Sequence, residues 1–345
     1  MLKVFGIPAL LYISLIYLPN VWIYVFMTAD YLTPWKIFES PTFDIYHDFL
    51  LSRLTEREEL PIPVLHANNF TTEDVVRLSK DYTFPIIIRE VLVNSSGVEK
   101  WPDADWWMEH YKDEQILCGT LDSVRDECTI GDFFTEVKNG NPFYISGASK
   151  IMTKNPELAA MVEDDRLHKI EPGERVSTQI FMGLKDMGSD IHSAMGVNIF
   201  RQMVGRKKWW FIPPSQTPFL KPSINVNGFS AHTHTMVGKN GETESPWMKK
   251  IERYTAVLEP GDVLINPPWF WHGIVNQGES SSSLVVGVPT RYGGRQSTIA
   301  AVKSNPFMSL FAAAVIYIKY GGPEGFKNQT DILEDKINAN RKARM

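Results

Sequence analysis

Two stretches of the 345-residue chain carry residue types that can do metal chemistry. One runs Ser189-Asp190-Ile191-His192-Ser193-Ala194, continues through Asn198 and reaches Gly205-Arg206-Lys207-Lys208-Trp209. The other runs from Glu259-Pro260-Gly261-Asp262 through Asn266-Pro267-Pro268 to Trp269-Phe270-Trp271-His272. Each puts one histidine at the end of a strand-like run beside turn residues. A lone strand histidine is more often structural than a ligand, but a pair in this setting reads as two neutral imidazole donors for a transition metal. His232 and His234, in Ala231-His232-Thr233-His234, are a second candidate metal pair; in a loop they read equally as solvated or substrate-facing side chains. Cys118 and Cys128 are too few for a zinc ribbon. They form one disulfide in an oxidising compartment or remain two inert thiols.

Positioning such histidines requires strands. Short apolar runs recur at Val176–Leu184, Val197–Val204, Lys207–Ile212, Thr255–Leu258, Val263–Ile265, His272–Asn276 and Leu284–Val288, divided by Gly- and Pro-rich turns. That pattern predicts a β-sandwich or barrel. Ahead of it lie a predicted helix at Thr72–Asp81, a strand at Phe84–Arg89, a helix at Ala104–Tyr111, a strand at Phe143–Ser146 and a helix at Pro156–Glu163. Thr217–Pro246, rich in Ser, Asn, Gly and His, reads as a long loop covering an active site. Trp209, Trp210, Trp269 and Trp271 read as core and pocket walls. Strand alternation leaves Arg201 open between the interior and the surface. Asn305–Tyr320 is apolar but short for a bilayer. It reads as a helix packed on the barrel or at a homodimer interface, with a lipid-touching surface as the functional alternative.

Composition narrows the class. With 43% hydrophobic and 22% charged residues, the bulk of the chain is neither disordered nor fibrous. A net charge of −5 gives no basic surplus, which argues against a nucleic-acid partner. Val4 to Met27 contains no charged residue, and such a length predicts an uncleaved, single-pass membrane anchor. Lys3 and the α-amine place the N-terminus in the cytosol by the positive-inside rule. The remainder is then lumenal, in the endoplasmic reticulum or secretory pathway, and the sequons at Asn69, Asn94 and Asn328 fit that placement. The expected plan is an anchor over 1–30, a connector over 31–61, a catalytic domain over 62–295 and a helical extension over 296–345.

From about Ile62 to Tyr292, and most strongly from Gln179 to His272, the sequence resembles the cupin-like JmjC oxygenases, especially their asparaginyl-hydroxylase-like branch. The GDVLINPPWFWH and GRKKWWFIPP stretches carry the resemblance. It implies a mainly β (α+β) fold, a double-stranded β-helix of the cupin or jelly-roll type, with an N-terminal α/β extension and C-terminal helices. It also implies Fe(II), 2-oxoglutarate and O2. By the resemblance His192 and His272 are the metal ligands. Lys207 pairs with the distal carboxylate of 2-oxoglutarate, Ser189 and Tyr144 help to hold it, and Asn198 is an amide beside the cosubstrate.

The departure from the family lies at Ala194, where the pattern has Asp or Glu. A methyl group cannot bind iron, so the two-histidine, one-carboxylate triad lacks its third member. One explanation is a non-catalytic, membrane-anchored cupin-like binding protein. A second is a hydroxylase of a protein or small molecule in which Asp190, two residues before His192, or Asp186 substitutes. The third is suggested by non-haem iron halogenases, where a small residue at this position leaves the coordination site to chloride. The reading preferred from sequence is the third: chlorination of an unactivated aliphatic C–H, with chloride as cosubstrate and a lipid or other hydrophobic small molecule as substrate.

Overall fold

The short alternating runs pair into two facing β-sheets. The structure, a computed structural model, describes residues 14–15, 18–119, 126–233 and 245–322. One sheet contains β1 (Leu60–Pro61), β9 (Gly188–Ala194), β11 (Arg206–Ile212), β12 (Pro222–Ile224), β13 (Ser230–Thr233), β14 (Tyr254–Leu258) and β16 (Trp271–Gln277), in the order β1-β14-β11-β16-β9-β13-β12. The other contains β2 (Val64–His66), β3 (Ile86–Arg89), β4 (Gln115–Gly119), β5 (Asp126–Thr129), β6 (Tyr144–Ala148), β7 (Arg175–Thr178), β8 (Ile180–Leu184), β10 (Val197–Val204), β15 (Val263–Asn266) and β17 (Leu284–Tyr292). Its order is β2-β3-β15-β10-β17-β8-β6-β4-β5, with β7 added beside β17. Consecutive strands therefore cross between sheets: β9, β11 and β16 lie in the first, β10, β15 and β17 in the second.

The inner faces meet through aromatic packing. Phe200 of β10 lies edge-on to Trp209 of β11 at 4.9 Å, with Ile87, Phe211, Leu258 and Leu264 buried around them. Burial of each such side chain contributes about 1.5–3 kcal/mol. The outer face of the larger sheet is covered by helices α3 (Thr72–Leu78), α4 (Ala104–Tyr111) and α5 (Ile130–Lys138), which bury Val75, Trp107 and Phe133 against Ile86, Ile145 and Ile199. Reciprocal Thr-Asp capping boxes start α3 and α5, at Thr71/Asp74 and Thr129/Asp132. Cys118 of β4 and Cys128 of β5 are disulfide-bonded, which selects one of the two sequence alternatives.

Three expectations need correction. No helix among the described residues is long and apolar enough to cross a membrane. This overturns the single-pass anchor and the lumenal placement deduced from it. The apolar residues serve the fold instead. Pro19 opens helix α1 (Pro19–Leu32), which lies on β12 and the 3-10 turn Pro214–Phe219 and buries Ile23 and Met27 to 1% exposure. Tyr24 stacks on Phe307 at 4.9 Å and receives a hydrogen bond from Asn305. Second, Thr217–Pro246 is not one loop, because β12 and β13 extend the first sheet beside β9. Third, Val176–Leu184 divides at Gln179 into β7 and β8. The tail from Asp331 and the sequon at Asn328 lie outside the described residues.

Helix α6 (Gly294–Ser304) packs on β10 of the second sheet, and α7 (Pro306–Tyr320) follows it with Met308, Ala312 and Ile316 turned inward. If α1 is part of this packing rather than a lipid-facing segment, Ile23→Ala will lower stability by about 2–4 kcal/mol, the range for a large-to-small core change. Urea unfolding without detergent measures it.

Candidate functional site

His192 and His272 are direct cross-strand partners on β9 and β16, with ring centroids 4.3 Å apart. Each Nδ1 lies against the carbonyl oxygen two residues earlier: His192 to Asp190 at 2.8 Å and His272 to Phe270 at 2.9 Å. A carbonyl can only accept, so Nδ1 carries the proton and Nε2 carries the lone pair. This is the arrangement that orients metal-binding imidazoles. Burial keeps both rings neutral. It pushes His272 well below the ordinary histidine value, with His192 adding to the effect, and it lowers His192, with Arg291 and His232 pushing the same way. The Asn266 amide, 3.2 Å from His272 Nε2, donates to that lone pair. The ring of Trp209 stacks on His272 at 5.7 Å.

The turn before His272 is held in a costly conformation. Trp269 has φ +60°, unusual for a bulky side chain. Its backbone N–H donates to Ala194 O at 2.9 Å, and its indole N–H donates to Ser309 of α7 at 2.8 Å. Trp271 donates to Thr217 at 2.9 Å. The tryptophans of this motif thus anchor the loop that presents His272.

A β-bulge decides which neighbours of His192 face inward. His192 pairs with His272, yet Ser189 pairs with Ile274, so three residues of β9 span two of β16. An extra residue of this kind reverses the alternation beyond it. Ser189 consequently lines the same cavity as His192, while Asp190 is exposed and does not line it. Simple alternation, which put Asp190 on the ligand face, fails here. Asp186 is exposed at a turn. Gly188 permits the close approach at the bulge, where a Cβ would come 1.8 Å from Ile274 O.

The cavity has a volume of about 430 Å³. His192, His272, Ala194, Lys207, Ser189, Tyr144 and Asn198 all line it, so the seven residues singled out from sequence are brought together. Lys207 is 1% exposed and sits over the Phe200 ring at 5.2 Å; burial lowers its pKa to about 7. Tyr144 fits because Gly183 lacks a side chain, where a Cβ would lie 2.4 Å from the tyrosine ring. Ser189 Oγ, Asn198 Oδ1, Asn266 Oδ1 and Trp209 Nε1 are buried with no hydrogen-bond partner. Buried polar atoms are usually satisfied, so these mark a place for a polar ligand. Sequence reasoning missed Asn266 and Arg291; the first stood in the Asn-Pro-Pro turn, the second at the end of the last strand. Arg201, left open, is fully buried in the interior and donates to Thr290 and Tyr292.

The donor set fits a two-imidazole metal and a dianion beside it, but no third protein ligand. Among the described residues no group of three His, Cys, Asp or Glu side chains could hold a metal ion. His232, on β13, pairs with His192 and bonds Asn225; His234 lies outside the described residues.

The cupin-like domain model matches residues 73–288, more than half of the chain. The chain belongs to the cupin-like domain family. Among relatives, human HSPB1-associated protein 1 is 36% identical over 78 residues, which cover 22% of this chain and 16% of the relative. The bifunctional arginine demethylase and lysyl-hydroxylase psr-1 of Caenorhabditis briggsae is 23% identical over 239 residues, 63% of this chain and 59% of the relative. JmjC domain-containing protein D of Dictyostelium discoideum is 25% identical over 109 residues, 32% and 24% of the two chains. The cupin-like chain thus spans only part of each relative's length and lies in the cupin/JmjC superfamily.

Lys207 also makes a stability prediction for this cupin-like protein. The unfolded chain keeps an ordinary lysine. Between about pH 7 and about pH 10 it therefore holds a proton that the ligand-free folded state lacks, and stability rises with pH across that window. Lys207→Met should flatten this slope and stabilise the ligand-free protein at pH 6 by of order a few kcal/mol; urea unfolding at several pH values reads both effects.

Proposed function

We propose that this chain is a non-haem Fe(II) enzyme that uses 2-oxoglutarate and O2 to chlorinate an aliphatic C–H bond. In this reading a halide fills the metal position that Ala194 leaves without a protein ligand. One observation carries it. Among the described residues, the cavity containing both imidazoles is lined by two basic side chains, Lys207 and Arg291, and by no carboxylate. A neutral ligand pair beside buried cations favours entry of anions, whereas an aspartate at 194 would repel them.

In this reading His192 and His272 hold the metal through Nε2, and Lys207, with Ser189 and Tyr144, holds the distal carboxylate of 2-oxoglutarate. The chemistry supplied by bound iron and 2-oxoglutarate converts C–H, chloride, O2, 2-oxoglutarate and a proton into C–Cl, succinate, CO2 and water. The chain's own part is to bind, orient and exclude water. Lys207 sits in a dry wall of Phe200 and Trp209, where its charge is weakly screened. Ala194 presents a small apolar surface beside the metal position. Phe181, Met195, Pro267 and Ile274 give the cavity apolar walls that suit a hydrophobic substrate such as an aliphatic chain.

A second reading has its own observation. Asn266 already occupies the His272 lone pair, which suits a non-catalytic cupin that binds a dicarboxylate. Hydroxylation, the chemistry in the name of the psr-1 relative, is the result if water rather than halide takes the vacant position.

These readings separate under anaerobic conditions with Fe(II) and 2-oxoglutarate. The halogenase should show the visible iron-to-keto-acid charge-transfer band, and chloride should shift or tighten it. Ala194→Asp should abolish the chloride effect while preserving the band. A band indifferent to chloride points to hydroxylation. A folded protein with no band retires the iron chemistry.

A further inference from the structure

Two polar rows face each other across the cavity. On the first sheet, His272, His192 and His232 are cross-strand partners on β16, β9 and β13. On the second, Asn266, Asn198 and Arg291 are partners on β15, β10 and β17. Direct partners present their side chains on one face, and Asn266, Asn198 and Arg291 all line the cavity. The Asn266–His272 hydrogen bond sets the two rows at the same level. Arg291 belongs to that level, since its charge acts on both His192 and His272.

Lys207 stands elsewhere. On β11, Phe211 is the partner of His272, while Lys207 is the partner of Asn276. Four residues of strand, roughly 13 Å, separate the two positions. The two cations therefore serve opposite ends of the cavity. Lys207 suffices for the distal carboxylate, and Arg291 adds a positive charge at the imidazole end. No described residue gives the Arg291 guanidinium a hydrogen bond or ion pair. A guanidinium carries five fixed donors and stays charged, and half-buried Arg291 lines the cavity, where an anion is the ligand that matches it.

We propose that Arg291 is the halide-holding residue at the imidazole end of the cavity, donating to the anion that takes the place beside Ala194. The proposal rests on the halide reading above. The same donors also fit a carboxylate, and the keto-acid end of 2-oxoglutarate is the competing source of one.

The test uses metal-free full-length protein. Sodium chloride is titrated and the chloride NMR line width followed, for wild type, Arg291→Gln and Arg291→Lys, with 2-oxoglutarate affinity measured by calorimetry on each. The expected result is saturable broadening in wild type, at least tenfold weaker binding in Arg291→Gln, partial recovery in Arg291→Lys, and 2-oxoglutarate affinity changed less than about threefold. Circular dichroism and the retained 2-oxoglutarate binding show that the variants are folded. Wild-type chloride binding in Arg291→Gln overturns the proposal, as does a loss of 2-oxoglutarate binding as large as the chloride loss. So does the absence of saturable broadening in wild type. The chloride response of the iron band is the separate readout for the underlying reading. A band that ignores chloride, with Arg291-dependent broadening intact, sinks the ligand role of halide but leaves Arg291 as an anion site. A chloride-responsive band with Arg291-independent broadening does the reverse.

Discussion

The pairing of His192 with His272 across β9 and β16 organises the molecule. Those residues lie eighty positions apart in sequence, and their backbones meet only because β9, β11 and β16 share a sheet. Both rings must then be kept neutral, correctly protonated and dry. Backbone carbonyls fix Nδ1, Trp209 covers the His272 ring, and burial removes the charge. The strained Trp269 turn is held from two sides, by Ala194 and by a helix more than thirty residues later. Strain of this kind persists where surrounding contacts over-determine it.

The electrostatics of the cavity follow from what is absent as much as from what is present. Two imidazoles depressed by burial, a lysine whose pKa is brought to about 7 and a partly buried arginine share one volume with no acid on its wall among the described residues. Water screens these charges poorly, which is the electrostatic ground on which the anion-binding proposal stands. On the same wall the Trp209 indole N–H and the Ser189 hydroxyl are unpartnered donors, and the Asn198 and Asn266 amide oxygens are unpartnered acceptors. Membership of the cupin-like family supplies the double-sheet frame that holds these residues.

The N-terminal helix illustrates how one signal supports two structures. A charge-free stretch is what a bilayer requires, and it also contains the apolar stripe with which a helix covers a sheet. Ile23 and Met27 are the residues that dock this helix on the fold, buried against β12 and its neighbours, while Val21, Val25 and Leu32 stay exposed.

The sequence by itself singled out the two histidines by type and setting, while Lys207, Ser189, Tyr144 and the alanine at 194 were singled out through the resemblance to the cupin-like JmjC oxygenases. Local periodicity and Gly/Pro punctuation also determined most strands, because alternation and turns are encoded within a few residues. Only the tertiary structure decided that Asp190 faces outward, since the bulge appears in the register between β9 and β16 and not in β9 alone. Arg291 likewise emerged only when β17 was laid beside β10, opposite Asn198. β12 and β13 were hidden because strands of three and four residues carry too little pattern until a neighbour pairs with them. The physical reason is common to all three: cross-strand register and sheet order are set by contacts between distant segments, and no local sequence window contains both partners.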